Sequence, residues 1–204
     1  MLSSLIITAY LGLQIINIPE EALPGWLNIF KEYPILNQGT VEGVKDSFKK
    51  ISEEPHSVFL IAKEDDHPVI GIATGIPLAY LSEVELFEKN DLKLSDYFHI
   101  NDVIVLPQYR KKGIGLKLYK KLEKNAGSWG YKALSLCTIE HEENHPLKPL
   151  DYKNPDLFWQ RLGFVKTSLK TKESWPTIMD KQGKIGQYEH TLIWWIKELK
   201  PKAK

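Results

Sequence analysis

The most constraining stretch of this 204-residue chain is Asn101-Asp102-Val103-Ile104-Val105-Leu106-Pro107-Gln108-Tyr109-Arg110-Lys111-Lys112-Gly113-Ile114-Gly115-Leu116. Its β-branched run reads as a buried strand. Pro107 stops that strand because it has no N–H to give to a ladder. A basic turn follows, and two glycines open an amphipathic helix. Such a segment demands a sheet with a helix folded back over it. Glycine lets backbone N–H groups approach a ligand with no side chain between. The unpaired N–H groups and dipole at a helix start favour an anion, most naturally a phosphate. Arg110, Lys111 and Lys112 add positive charge at the same place. The spacing lacks the three glycines of a dinucleotide fingerprint and the Gly-Lys-Ser/Thr of a nucleotide-triphosphate loop. Taken alone, it also suits a strand-to-helix turn that holds nothing.

The remaining pattern predicts one mixed α/β domain over residues 1–204. Met1 to Pro19 is uncharged and close to the ~20 residues that span a bilayer. Ser3, Ser4, Thr8, Gln14 and Asn17 interrupt it, however, and no Lys or Arg precedes it, so it reads as strand and not as anchor or signal. Residues 20–33 and 40–53 read as helices, the second with Val41, Val44, Phe48 and Ile51 on one stripe. Val58–Ala62 and Val69–Ile76 flank the turn residues Asp65-Asp66-His67-Pro68 as a hairpin. Residues 81–97 are acidic and partly helical in pattern. Then come a strand over Ile100–Leu106, a helix over 113–127 ended by Gly127 and Gly130, and a strand over Ala133–Ile139. A polar loop at 142–154 leads to a short helix over Pro155–Leu162, and strands follow from Phe164 and over Tyr188–Trp195. The Lys-rich residues 197–204 read as a flexible tail.

Lys and Arg number 27 against 26 Asp and Glu, a net charge of +1 that argues against nucleic acid as the main partner. Cys137 is the only cysteine, which excludes an internal disulfide or a multi-cysteine zinc site and fits a reducing cytoplasm. No metal-ligand spacing stands out. No membrane partner is expected either.

A second segment, Leu157-Phe158-Trp159-Gln160-Arg161-Leu162-Gly163-Phe164, is a short aromatic helix stopped by a glycine and re-entering a strand. Together, Val105–Gly115 and Phe158–Phe164 resemble the two signature motifs of the GCN5-related N-acetyltransferase (GNAT) superfamily. The similarity is concentrated in residues 98–165. The resemblance implies a mixed, mostly antiparallel sheet with a splayed parallel strand pair, flanked by helices. It implies transfer of the acetyl group of acetyl-CoA directly to a primary amine of a small molecule or protein. The alternative is a coenzyme A-binding module of the same fold that has lost catalysis.

On the same resemblance, the pantetheine arm would pair with Val103, Ile104 and Val105 by strand addition. The pyrophosphate would lie in the amides of Lys111, Lys112, Gly113, Ile114, Gly115 and Leu116, beside Arg110. Asn154, Phe158 and Trp159 would complete the cofactor site, and the N–H of Val105 would meet the developing oxyanion. Many members carry a tyrosine as acid where this chain has Trp159, and an indole N–H is not a usable acid near neutral pH. Tyr152, Tyr188 or water would replace it, or the thiolate would leave unaided. The candidates for the base are His99, Asn101 and Asp102. Strict alternation sets Asn101 and Asp102 on opposite faces unless a bulge intervenes. The aromatic C-terminal segment and residues 81–97 would shape the acceptor pocket, and exposed sheet edges are compatible with a homodimer.

Overall fold

The computed structural model describes residues 13–17, 23–25, 27–29, 45–46, 48–49, 52–64, 69–81, 84–140, 154–178 and 184–200. Among them lie strands β1 (Leu13–Asn17), β2 (Val58–Glu64), β3 (Gly71–Pro77), β4 (Tyr97–Val105), β5 (Ala133–Ile139), β6 (Val165–Ile178) and β7 (Ile185–Glu198). Three helices have their full range described, α1 (Val84–Glu88), α2 (Ile114–Ser128) and α3 (Asp156–Arg161), and residues 23–25, 27–29, 45–46, 48–49 and 52–53 are helical as well, within the two helices expected at 20–33 and 40–53. The strands form one seven-stranded sheet in the order β1-β2-β3-β4-β5-β7-β6. Every neighbouring pair is antiparallel except β4–β5, which is parallel. The expected mixed sheet with one parallel pair is therefore present.

The pattern that makes α2 a helix also decides what it covers. Ile114, Leu118, Tyr119, Leu122 and Ala126 recur at helical spacing and are buried. They pack on Ala73, Phe98, Ile100, Leu134, Leu136 and Trp195, which the strand period turns to the same side. Each fully buried Leu, Ile or Phe among them contributes about 1.5–3 kcal/mol. Lys117, Lys120, Lys121 and Lys124 stand on the opposite, exposed side of the helix. The other face of the sheet is covered in two places. Ile29, Phe48, Phe59, Ile61 and Ile72 form one cluster, and Leu78, Phe87 and Trp194 form another.

Several boundaries differ from those read in the sequence. β4 begins at Tyr97, three residues early, because residues 97–99 pair with β5, and Phe98 and His99 pair with β3 as well. Gly127 lies inside α2, and the chain turns only at Gly130, whose φ of 88° is left-handed. Of the N-terminal strand, Leu13–Asn17 is seen as β1, while Leu5–Tyr10 falls outside the described residues, as do most of 20–33, 40–44 and the 65–68 turn. Residues 197–198 are not tail: β7 runs through Glu198, and the Leu199 N–H donates to the Lys132 carbonyl at 2.7 Å.

Lys197 is in fact a strut. Its Nζ donates to the Tyr119 hydroxyl at 2.7 Å and to Glu123 Oε1, and the tyrosine O–H donates to the same carboxylate at 2.6 Å. Burial alone would raise the Glu123 carboxyl, but donors from Lys120, Lys197 and Tyr119 outweigh it and bring it down to about 2. A depressed carboxyl stabilises the fold above its unfolded value of 4.5, and that stabilisation is lost as pH falls toward 2. Lys197→Ala is expected to lower stability by about 2 kcal/mol, less than for a fully orphaned charge because Lys120 still pairs with Glu123. Urea unfolding at pH 7 and pH 3 checks it; the mutant deficit should be smaller at pH 3.

Candidate active site

The parallel pair opens partway along its length. β4 and β5 are paired from Tyr97↔Ala133 to Ile100↔Leu136 and no further. Beyond that vertex, residues 102–105 remain paired to β3, while Cys137–Ile139 pair only with β7. The two strands therefore diverge into a V with Asn101 at its apex on the β4 side. The Leu106 N–H donates toward β3, to the Ile70 carbonyl at 3.0 Å. Antiparallel alternation then turns the peptide groups of Val103 and Val105 the other way, into the V.

A bulge sits at the vertex. Thr74 is opposite Asp102 and Gly75 is opposite Ile100, so Asn101 is the extra residue. Its consequence is a change of face. Positions 99 and 102 would otherwise point to opposite sides, but here both His99 and Asp102 lie on the face away from α2. His99 Nδ1 is 3.0 Å from Ser135 Oγ, and its ring packs on Trp194 at 5.2 Å, tying β4 to β5 just behind the vertex. Asp102 accepts a 2.6 Å hydrogen bond from Thr74 Oγ1. Desolvation pushes the Asp102 carboxyl up to about 6, against the lowering effect of that bond. The Oδ1 of Asn101 is buried and has no hydrogen-bond partner among the described residues. The bulge condition attached to the alternation of Asn101 and Asp102 is met. Thr74 and Ser135 were not singled out in the sequence; a threonine within Ile72-Ala73-Thr74-Gly75-Ile76 and a serine within Leu134-Ser135-Leu136 were the available signals.

At the wide end of the V the chain makes a single 3-10 turn over Pro107–Tyr109 and enters α2 through two left-handed residues, Lys111 (φ 60°) and Gly113 (φ 78°). No side chain caps the helix. A Cβ at Gly113 would meet nothing within 4 Å, and one at Gly115 would touch Val105 Cγ2 at 3.7 Å and Val103 Cγ1 at 3.9 Å. The helix start thus lies directly over the strand that lines the V. Arg110 turns back, its Nε donating to the Val105 carbonyl at 3.2 Å, and Lys112 Nζ lies 5.1 Å from the centre of the Tyr109 ring. An uncapped, glycine-opened helix end flanked by cations fits a diphosphate, and a strand edge that leads away from it fits an extended amide arm.

The aromatic segment lies apart from the V's edge residues in role. Trp159 is buried among Tyr119, Phe158 and Phe164, with ring centroids 6.2, 4.9 and 5.5 Å away, as part of the core under α2. Asn154 Oδ1 accepts the Asp156 N–H at 2.9 Å and so holds the start of α3. Glu140 is paired with Lys170 at the mouth of the V. Tyr152 lies outside the described residues, as do His141, Glu142, Glu143 and His145. Among the described residues no cluster of His, Cys, Asp and Glu is arranged to hold a metal.

The model of the Acetyltransferase (GNAT) family matches residues 23–150. A search of the curated proteins finds no match. Among solved structures, an N-acetyltransferase from Staphylococcus aureus Mu50 is 17% identical, with a TM-score of 0.61 over 92% of this chain and 99% of that one. A ribosomal-protein-alanine N-acetyltransferase from Brucella melitensis is 16% identical, with a TM-score of 0.59 over 92% and 100%. The ribosomal-protein-S18-alanine N-acetyltransferase from Escherichia coli is 13% identical, with a TM-score of 0.59 over 94% and 96%. At such identities these structures share the fold.

Proposed function

This chain belongs to the acetyltransferase (GNAT) family, and on that premise we propose that it transfers the acetyl group of acetyl-CoA directly to a primary amine. One observation carries the proposal: the uncapped glycine turn lies at the end of β4 from which β5 has diverged. The turn from Lys111 to Leu116 would hold the diphosphate, and Val103 to Val105 would pair with the pantetheine arm. Acetyl-CoA, when bound, supplies a thioester that an amine can attack.

The direction of the arm follows from the position of the turn. From Val105 to Asn101 the strand advances about 13 Å, so a thioester would come to lie near the vertex. This favours the N–H of Val103 over that of Val105 as the oxyanion donor, since Val105 lies beside the diphosphate turn. Asp102 is the base we propose. Its carboxyl at about 6 is ionised at neutral pH, yet basic enough to take a proton from an ammonium delivered to it. His99, bonded to Ser135 behind the vertex, would position the strand pair. Trp159 is buried and carries no usable acid, so the leaving thiolate would be protonated by water, Tyr152 or Tyr188. Phe158 would wall the cofactor site, and Asn154 would act through α3. A single domain over 1–204 and a cytoplasmic setting complete this reading; no described helix is long and apolar enough to cross a membrane.

The test is release of coenzyme A thiol against propylamine, phenethylamine, spermidine and a peptide with a free N-terminal alanine, with the acetylated product identified by mass. Coenzyme A binding with no product from any amine would favour the non-catalytic module, the reading that the replacement of tyrosine by buried Trp159 supports. With an active amine, kcat/KM should rise with pH through about 6. Asp102→Asn should remove that limb and cost about 100-fold in kcat. A raised carboxyl also favours the fold below its unfolded value of 3.8 and loses that contribution as pH rises through about 6. The variant should therefore be more stable than wild type at pH 8.

A further inference from the structure

Asn101 is the residue at the vertex that nothing yet explains. It is the extra residue of the bulge and the first residue of β4 beyond the last β4–β5 pair. Its Oδ1 is shielded from solvent and receives no donor from the described residues. A buried carbonyl without a donor forfeits the hydrogen bond it would make in water, which makes it a cost to the fold. Phe98 and Ile100, on the same strand, are buried apolar residues. An asparagine here is therefore poorly explained by folding.

We propose that Asn101 Oδ1 accepts an N–H of the acceptor amine and, beside the Asp102 carboxylate, selects acceptors that carry a primary amino group. The inference rests on the acetyl-transfer reading above and deepens it. A primary ammonium has three donors. One can meet Asn101 Oδ1 and a second the Asp102 carboxylate, which Thr74 holds at 2.6 Å from its own hydroxyl. When the proton passes to Asp102, the nitrogen keeps two hydrogens and gains a lone pair. With one N–H fixed on Asn101, that lone pair is held toward the thioester carbon. The N–C bond then forms, the C–S bond breaks, and sulfur leaves with the electron pair as thiolate. One of the two hydrogens left on nitrogen then goes to solvent as a proton, and the other stays on the product amide. An N-methyl ammonium keeps two donors for these two acceptors but loses the freedom to choose among three, and its methyl group must be placed at a vertex that His99 and Ser135 close from behind.

The test compares Asn101→Leu and Asn101→Asp with wild type on the best amine of the panel and on its N-methyl counterpart. Asn101→Leu should raise the KM for the primary amine at least tenfold while the KM for acetyl-CoA stays within twofold. Its melting temperature should be equal to or above that of wild type, because an unpartnered buried oxygen is gone; a purely structural asparagine would give the opposite shift. Asn101→Asp keeps an acceptor and should hold the amine KM within threefold. It should move the limb of the pH profile upward, since a second carboxylate beside Asp102 disfavours ionisation. The preference for primary over N-methyl amine should fall in the leucine variant. An unchanged amine KM in Asn101→Leu, with active wild type, overturns this inference alone. A wild type that binds coenzyme A but acetylates no amine overturns the acetyl-transfer reading and this inference with it.

Discussion

Gly115→Glu is expected to abolish coenzyme A binding while leaving the fold intact. A Cβ at position 115 makes ordinary contacts of 3.7 and 3.9 Å with Val105 and Val103, so the protein tolerates the first carbon. The rest of the side chain must then leave through the space between the helix start and the strand edge. It brings a carboxylate to amides that favour an anion, where it would satisfy them from within and repel a diphosphate. The expected loss is at least 100-fold in affinity, about 3 kcal/mol. Calorimetric titration with coenzyme A measures it, and circular dichroism should give a melting temperature within about 2 °C of wild type. Retained binding in this variant would remove the diphosphate from the turn.

Gly75→Val should have the largest effect on the fold. A Cβ there would lie 2.5 Å from Phe98 Cε1 and 2.9 Å from the His99 carbonyl oxygen. Phe98 is a fully buried core ring and the carbonyl is backbone, so neither has room to yield. The strain falls on the bulge, because Gly75 is opposite Ile100 and flanks the register shift at Asn101. A destabilisation of about 3 kcal/mol or more is expected. For a chain of this length that lowers the melting temperature by about 6–12 °C. Any folded fraction should also lose turnover disproportionately, since the bulge is what brings Asp102 to the same face as His99. A variant as stable and as active as wild type would show that the bulge does not organise the site.

Much of the frame was legible because its cues are local. The β-branched run before Pro107, the glycines at 113 and 115, and the apolar spacing along 114–126 each depend on a few neighbouring residues. They correctly announced a strand, a turn and a helix that covers it. The site was legible only in outline. His99 and Asp102 stood out as titratable residues in an apolar strand, but their common face depends on Gly75, a residue on another strand. Thr74 and Ser135 gain their meaning only across the sheet, through partners 28 and 36 positions away. Lys197 is opaque to sequence for the same reason. In a Lys-rich terminus nothing local separates a strut from a tail, and the difference lies in Tyr119 and Glu123 on α2. Asn154 looked like a ligand group, and its oxygen is engaged by the neighbouring Asp156 amide.

The tie between His99 and Ser135 has one last consequence. With the apex fastened there and the helix start seated over Val103 and Val105, the stretch between them is a gauge whose length is set by backbone pitch. Point substitutions repaint that gauge without lengthening it. On the acetyl-CoA reading proposed above, fitting a carrier with a shorter or longer arm would therefore require residues to be gained or lost between 101 and 113, two at a time if the inward and outward sides of the strand are to be kept.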